Sequence, residues 1–399
     1  MKKKNYVSTG IFSLLSAAVL CCGCEKEISP DGETDENGVS VLSVTPEDVA
    51  FLLANVPVGD EQIQEVFDAV NASSANGYDE EYTMRDLFDT PGAGVGDSYL
   101  AVKSSGGRIY DNPMRSLLSD GLRALQGTKA SVPDADEYLE ALAESDLQIY
   151  WPYSSDWDGE GFPVITFDPE TEDTVNIGYA VETGADGIRR VTEVLVDEEM
   201  AKNRPVWVVN RNSDAAYKSI EILRREDPEW GRGGSMGTKA VKDFKTLTLK
   251  SFTMRRHFDC WFAGASEFFV KCGSVNGFNA STDAEMALYY ASVTDFMVVV
   301  KRKYLGVPLD FNAILVSEWT DQMEDSALII VEDDGGTRTS WKCSATVKYN
   351  SKSYGFEMEI PLNTRDDIVW RGQLSRNYIE KYSGQTGRFG DVDLVLSLD

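Results

Sequence analysis

A chain of 399 residues, 42% of them hydrophobic, is long enough to bury two or three cores of ordinary size. Its 66 acidic residues outnumber 38 basic ones for a net charge of −28, which excludes nucleic acid as a partner because phosphate contacts need a basic face. A single histidine, His257, rules out a metal site built on two histidines of one chain. Any histidine-dependent serine or cysteine hydrolase would have to use that residue.

The chain begins with Lys2-Lys3-Lys4, an apolar run over 11–20, and Cys21-Cys22-Gly23-Cys24. A basic start and about ten apolar residues predict a secretory signal, too short to span a bilayer. Gly23 before Cys24 resembles the lipobox of bacterial lipoproteins, with Cys21 where leucine is usual. The resemblance implies a signal peptide over 1–23, lipidation of Cys24 and attachment to a membrane through that lipid. Removal of 1–23 takes away three lysines and no acid, so the mature chain carries −31. Residues 24–44 include Glu25, Glu27, Asp31, Glu33, Asp35 and Glu36, a composition that cannot bury a core and predicts a solvated tether. An acidic run at this place resembles the surface-export signal of Bacteroidetes lipoproteins. The expected location is therefore the outer membrane, with display at the cell surface.

Thr45 reads as an N-cap with Pro46 in the first helical turn, followed by Val49, Leu52, Leu53 and Val56 at helical spacing. Asp60 is expected to cap a second helix with the stripe Ile63, Val66, Phe67 and Val70. Past the glycine-rich stretch at 91–96, Asn112-Pro113 and the stripe Met114, Leu117, Leu118, Leu122 and Leu125 predict a third helix, and 134–144 a fourth. The period then changes. Segments 147–151, 162–167, 175–181, 191–196 and 206–210 are short and rich in β-branched and aromatic residues, as strands are. Residues 45–210 are thus expected to form an α+β domain.

Residues 211–243 read as a linker: a polar helical piece at 213–225, Asp227-Pro228, then a glycine cluster at 231–237. The cluster lacks the Gly-Lys-Ser/Thr of a phosphate loop. From 244 to 399 the segments 247–254, 267–271, 296–301, 327–332, 339–349, 354–361 and 392–398 alternate or are β-branched, which predicts an antiparallel C-terminal β-sandwich. Cys260, Cys272 and Cys343 remain beside Cys24 and allow one intrachain disulfide at most, whose pairing spacing cannot assign.

Two groups of residues could carry chemistry. Tyr150, Trp151, Tyr153, Asp156, Trp157 and Asp158 interleave aromatic platforms with carboxylates, a composition that could stack on a sugar or peptide and accept its hydrogen bonds. The same residues would equally serve as plugs over a core. Asp321, Glu324 and Asp325 before the strand at 327–332, with Asp333 and Asp334 after it, offer the oxygen ligands that calcium requires, without the spacing of an EF-hand. The two acidic loops would lie about 20 Å apart by strand rise, so they could share no ion unless other loops joined them.

Tyr150-Trp151-Pro152-Tyr153, Trp157-Asp158-Gly159, Pro163-Val164-Ile165-Thr166-Phe167 and Pro205-Val206-Trp207-Val208-Val209-Asn210 resemble a family of uncharacterised secreted bacterial proteins. The stretch from Asp259 to Glu267 is similar to that family's acid-x-Trp-x-x-Gly-x-x-Glu segment, with Cys260 where proline is common. The family implies no activity. Asp173-Thr174-Val175 and Asp325-Ser326-Ala327 resemble the O-glycosylation sequon of Bacteroidetes. With no nucleophile elbow, histidine cluster or phosphate loop in the sequence, the expected function is a surface-anchored, non-catalytic binding or adhesion module. It would be cation-stabilised by calcium and contact an extracellular glycan or protein. The alternative is a carboxylate-based extracellular hydrolase of glycans or peptides with its cleft at 150–158.

Overall fold

The computed structural model describes residues 33–34, 40–41, 44–88, 110–126, 134–184, 188–212, 217–226 and 244–399. The expected signal peptide over 1–23, Cys24 and the glycine clusters at 91–96 and 231–237 lie outside those residues. Within the expected tether, β1 (Glu33–Thr34) pairs antiparallel with β2 (Ser40–Val41). Beyond that pair the chain is α+β and divides into two units. The first takes the chain up to Ala75, Asp79–Asn212 and Cys260–Gly264; the second takes Asn76–Tyr78, Ser213–Asp259 and Ala265–Asp399. Among the described residues no helix is long and apolar enough to cross a membrane.

In the first unit, α1 (Pro46–Asn55) starts as its sequence dictates: the Thr45 side chain accepts the Asp48 N–H at 3.1 Å, and Pro46 occupies a turn whose N–H has no helical partner anyway. The second helix, α2 (Asp60–Ala75), begins with Asp60 instead of being capped by it. Gln62 Oε1 reaches back to the Gly59 N–H at 2.8 Å, the return half of a capping box. There follow β3 (Glu81–Thr83), α3 (Met84–Phe88), α4 (Met114–Gln126) and α5 (Ala135–Glu144), the last capped by Asp134. The remaining elements are β4 (Leu147–Tyr150), β5 (Val164–Phe167), β6 (Val175–Thr183), β7 (Arg189–Asp197), α6 (Glu198–Asn203) and β8 (Val206–Arg211).

These strands form one sheet in the order β3-β4-β8-β5-β6-β7, antiparallel throughout except for the parallel β5–β8 pair. Period two sorts their side chains onto two faces. Ile149, Ile165, Trp207 and Val209 enter the core shared with Leu52, Leu53, Val66, Leu118 and Leu142 of the helices. Tyr150, Val164, Val206 and Val208 point the other way and pack with Trp261 and Phe262. The central strands β4, β5 and β8 are buried on both faces, which is why they read as near-continuous apolar runs.

The second unit begins with α7 (Ile220–Glu226) and β9 (Lys245–Met254), β10 (Ser266–Ser274), α8 (Asp283–Met286), β11 (Ser292–Val300) and β12 (Leu309–Trp319). It continues through β13 (Met323–Glu332), β14 (Arg338–Tyr349), β15 (Lys352–Asn363), β16 (Asp367–Ser375), α9 (Arg376–Tyr382), β17 (Thr386–Phe389) and β18 (Val392–Leu398). One antiparallel sheet runs β11-β10-β13-β14-β15, with β16 also paired to β13; the other runs β12-β9-β18-β17. Together they curl into a half-barrel. Phe268, Val298 and Leu328 of the first sheet share a core with Leu249, Leu315 and Leu394 of the second. β15 packs close to β10 at Gly273, where a Cβ would displace the Met358 side chain.

Three strands of this unit lie outside the segments expected from alternation, β12, β16 and β17. In β12 the register slips between Asp310 and Ala313, where Asn312 takes a left-handed φ of 50°, and this interrupts the period. β13 starts at Met323, so Glu324 and Asp325, expected in a loop, belong to a strand; Asp325 lies opposite Thr346 on one side and Ser375 on the other.

Candidate functional site

The end of β13 gathers the chemistry of the second unit. Leu328, Ile329, Ile330 and Val331 are wholly buried, and the strand then closes on Glu332, a carboxylate only 1% exposed. The ladder places Glu332 opposite Phe268 of β10, and the next residue, Asp333, donates its N–H to the Glu267 carbonyl at 3.0 Å. Antiparallel pairing therefore brings Glu267 beside Glu332 across 65 residues of sequence. The third member, Asp259, follows β9, and its backbone carbonyl accepts Nη1 of the buried Arg302 at 3.1 Å. One oxygen from each of Asp259, Glu267 and Glu332 lies within 4.8 Å of the others.

More carboxylates surround this trio. Asp367 stands opposite Glu332 in the β13–β16 register and lies 3.4 Å from Arg256 Nη2. Asp333 Oδ1 accepts the Gly335 N–H at 3.1 Å and the Asn363 amide at 3.3 Å, while Asp366 Oδ2 accepts the Asn363 N–H at 2.7 Å. The electrostatic consequence is protonation well above the usual carboxylate range. Burial, then the hydrogen bond and charge of Asp259, then Asp334 and Asp367, hold the Glu332 carboxyl far above its ordinary value. Partial desolvation and the neighbouring Asp259, Asp367, Asp366 and Asp333 push Asp334 up to about 6. Glu332 Oε1 is buried and receives no hydrogen bond. Such an arrangement can share a proton between carboxyl groups or hold a hard cation.

Of the acidic residues singled out in the sequence, Asp333 and Asp334 lie beside this trio. Glu324 and Asp325 sit at the far end of β13, roughly 23–26 Å away by strand rise, and Asp321 precedes that end. There they have protein partners: Asp321 with Arg376 Nη2 at 2.8 Å, and Glu324 with Ser353 Oγ at 2.5 Å. Asp325 lies within the ladder, and burial raises its carboxyl above the ordinary value. The trio itself escaped notice because its members are distant in sequence. The one signal was that Asp259 and Glu267 bracket the acid-x-Trp-x-x-Gly-x-x-Glu segment. Its glycine has a structural cause: Gly264 has φ of 133°, and a Cβ there would stand 3.1 Å from Asp79 Oδ2.

The aromatic segment is arranged as core. Tyr150 and Trp151 are each 1% exposed and belong to opposite faces of the first sheet, so neither ring has a face for a ligand. The Trp157 ring lies 4.8 Å from Phe67 and 5.2 Å from Trp151, and its Nε1 donates to the Glu160 carbonyl. Tyr153 takes a left-handed φ of 61° and donates its hydroxyl to Glu198 at 2.8 Å. Asp158 accepts the Glu160 N–H and makes a turn; Asp156 is exposed and accepts the Ser155 hydroxyl. These contacts correct the expected stacking platform at Tyr150 and Trp151, because closing the core over both faces consumes those rings.

Cys260, Cys272 and Cys343 are free thiols, and Cys260 Sγ donates to the Asp173 carbonyl at 3.0 Å. Ser326 of the second glycosylation triplet is buried completely in β13, which closes that hydroxyl to modification in the folded chain. Comparison of the chain with protein-family models, curated proteins and solved structures returns no match.

Proposed function

We propose that this chain is an outer-membrane lipoprotein of Bacteroidetes type, lipidated at Cys24, displayed at the cell surface and acting there as a non-catalytic binding or adhesion module for an extracellular glycan or protein. It would belong to the family of uncharacterised secreted proteins that its Tyr-Trp-Pro-Tyr and Asp259–Glu267 segments resemble. The observation that carries the binding reading is an apolar pair on the surface of the second unit: Leu288 is 77% and Tyr290 78% exposed. Their loop is pre-organised. A capping box between Thr282 and Glu285 starts α8, and Tyr289, between the exposed pair, donates its hydroxyl to the Asn279 carbonyl and packs on Phe278 at 4.8 Å. Exposed tyrosine on a pre-organised loop is the residue type enriched at binding hot spots, since little side-chain entropy is lost on contact. We also read the two sheets of this unit as the halves of a β-sandwich, supported by the core they share.

The alternative hydrolase reading is favoured by one observation, the Glu332 carboxyl held protonated beside Asp259, as an acid catalyst would be. Against it stand the burial of Glu332 and a trio spacing tighter than the about 5 Å or more between glycosidase carboxyl groups. The test is saturable binding to immobilised extracellular glycans and proteins, with product analysis of the same mixtures. Binding without turnover, lost in Leu288→Ser/Tyr290→Ser at an unchanged unfolding midpoint, is expected. Turnover abolished by Glu332→Gln would replace this reading with the hydrolase. Fatty-acid labelling in a bacterial host, present in the wild type and absent in Cys24→Ser, tests the anchor.

A further inference from the structure

We propose that Asp259, Glu267 and Glu332 form a binding site for one hard divalent cation, calcium in preference to magnesium. The site is independent of the binding reading above and distinct from the acidic loop at Asp321. Two observations carry it. First, the three carboxylate oxygens lie within 4.8 Å of one another. Oxygens on opposite sides of a calcium ion, at about 2.4 Å each, stand about 4.8 Å apart, so three oxygens inside that limit can share one ion. Three converging protein carboxylates in an irregular arrangement suit calcium, whereas magnesium keeps several waters and is held by one or two carboxylates.

Second, Glu332 Oε1 is buried and receives no hydrogen bond, on a side chain that is 1% exposed and supplies one of the three converging oxygens. A buried carboxylate oxygen without a donor is costly, and a coordinated cation removes that cost. The surrounding charge acts in the same direction. Asp333, Asp334, Asp366 and Asp367 add to the negative potential at this end of the sheet and outnumber the opposing charge of Arg302, whose Nη1 is taken up by the Asp259 backbone carbonyl. The ligands come from the turn after β9, the start of β10 and the end of β13, so an ion here would tie three separate segments of the second unit together. Binding would then stabilise the fold by mass action.

The test uses the full mature chain in detergent, stripped of metal with chelator, its unfolding midpoint measured in excess calcium, in the same concentration of magnesium and in chelator. A rise of several degrees in calcium and a smaller one in magnesium is expected. Glu332→Gln should abolish the calcium rise while unfolding in chelator near the wild-type midpoint, because it keeps the shape of the neutral carboxyl but cannot supply a carboxylate ligand. Glu267→Gln should also abolish it and decides the matter if the first variant does not fold. Asp321→Asn/Glu324→Gln should keep it. Equal midpoints in calcium and chelator, or a rise that survives Glu332→Gln and Glu267→Gln, overturns the site. Equal rises in calcium and magnesium overturn the preference for calcium.

Discussion

Asn210 offers the sharpest test of how the first unit is held together. It is wholly buried at the end of β8, and its amide nitrogen donates to two backbone carbonyls, Phe262 at 3.0 Å and Ala263 at 2.6 Å. Through those bonds one side chain secures the Cys260–Gly264 segment, whose Trp261 and Phe262 fill one core of that unit. In Asn210→Ala two hydrogen bonds disappear at about 1 kcal/mol each, and the stranded carbonyls add about 1–2 kcal/mol. Against this, Asn210 Oδ1 is itself buried without a donor, so its removal returns roughly 1 kcal/mol. The expected net loss is about 2–3 kcal/mol, or about 5–10 °C in midpoint for a unit of this size. Asn210→Asp separates hydrogen bonding from packing. It keeps the shape but sets a carboxylate against two carbonyls, so at neutral pH it should be worse than alanine, by at least about 1 kcal/mol. Urea titration followed by circular dichroism measures both. If Asn210→Ala stays within about 0.5 kcal/mol of wild type, or Asn210→Asp proves the milder change, the account of this segment is wrong.

Two further outcomes follow from buried groups in the same unit. Glu65 accepts the Met114 N–H at 2.6 Å and the Tyr82 hydroxyl at 3.1 Å, and burial raises its carboxyl above the ordinary 4.5. A raised acid binds its proton more tightly when folded, so its contribution to stability is full below pH 4.5 and declines as the pH rises towards the folded value. In Glu65→Gln, whose amide can satisfy the same partners because the tyrosine hydroxyl can turn and accept, that component of the pH profile should vanish. Midpoints measured from pH 4 to 8 for both proteins would show parallel curves if the reasoning fails. Gly264→Ala places a side chain at φ of 133° and against the Asp79 carboxylate, which should cost about 1–3 kcal/mol in urea unfolding. A neutral result would mean that the turn relaxes freely.

The local elements were legible because their causes are local. Thr45-Pro46 and the stripe through Leu52 and Leu53 state a helix start and a buried face, and the structure has both. The apolar runs at 162–167 and 206–210 likewise announce strands, found at Val164–Phe167 and Val206–Arg211. Their partnership does not show in the sequence: β5 and β8 lie side by side and parallel although two strands and a helix separate them along the chain. β16 was missed for a related reason. Its residues are mostly exposed or half-buried, so pairing with β13, not an apolar period, makes it a strand.

Composition and order along the chain determined the kind of molecule: an acidic, α+β chain with a lipobox-like start and free of the histidine pairs and phosphate loops of many enzymes. Tertiary structure alone decided what the conspicuous residues do. Tyr150 and Trp151 look like a platform and are core, because successive strand residues face opposite sides and both sides of this sheet are covered. Asp259, Glu267 and Glu332 look unremarkable among 66 acids, yet antiparallel pairing of β10 with β13 sets Glu267 beside Glu332 and the turn after β9 adds Asp259. Patterns in sequence report burial and local geometry, which depend on neighbours a few residues away. A site made by strand register depends on partners dozens of residues apart, and no local period records that.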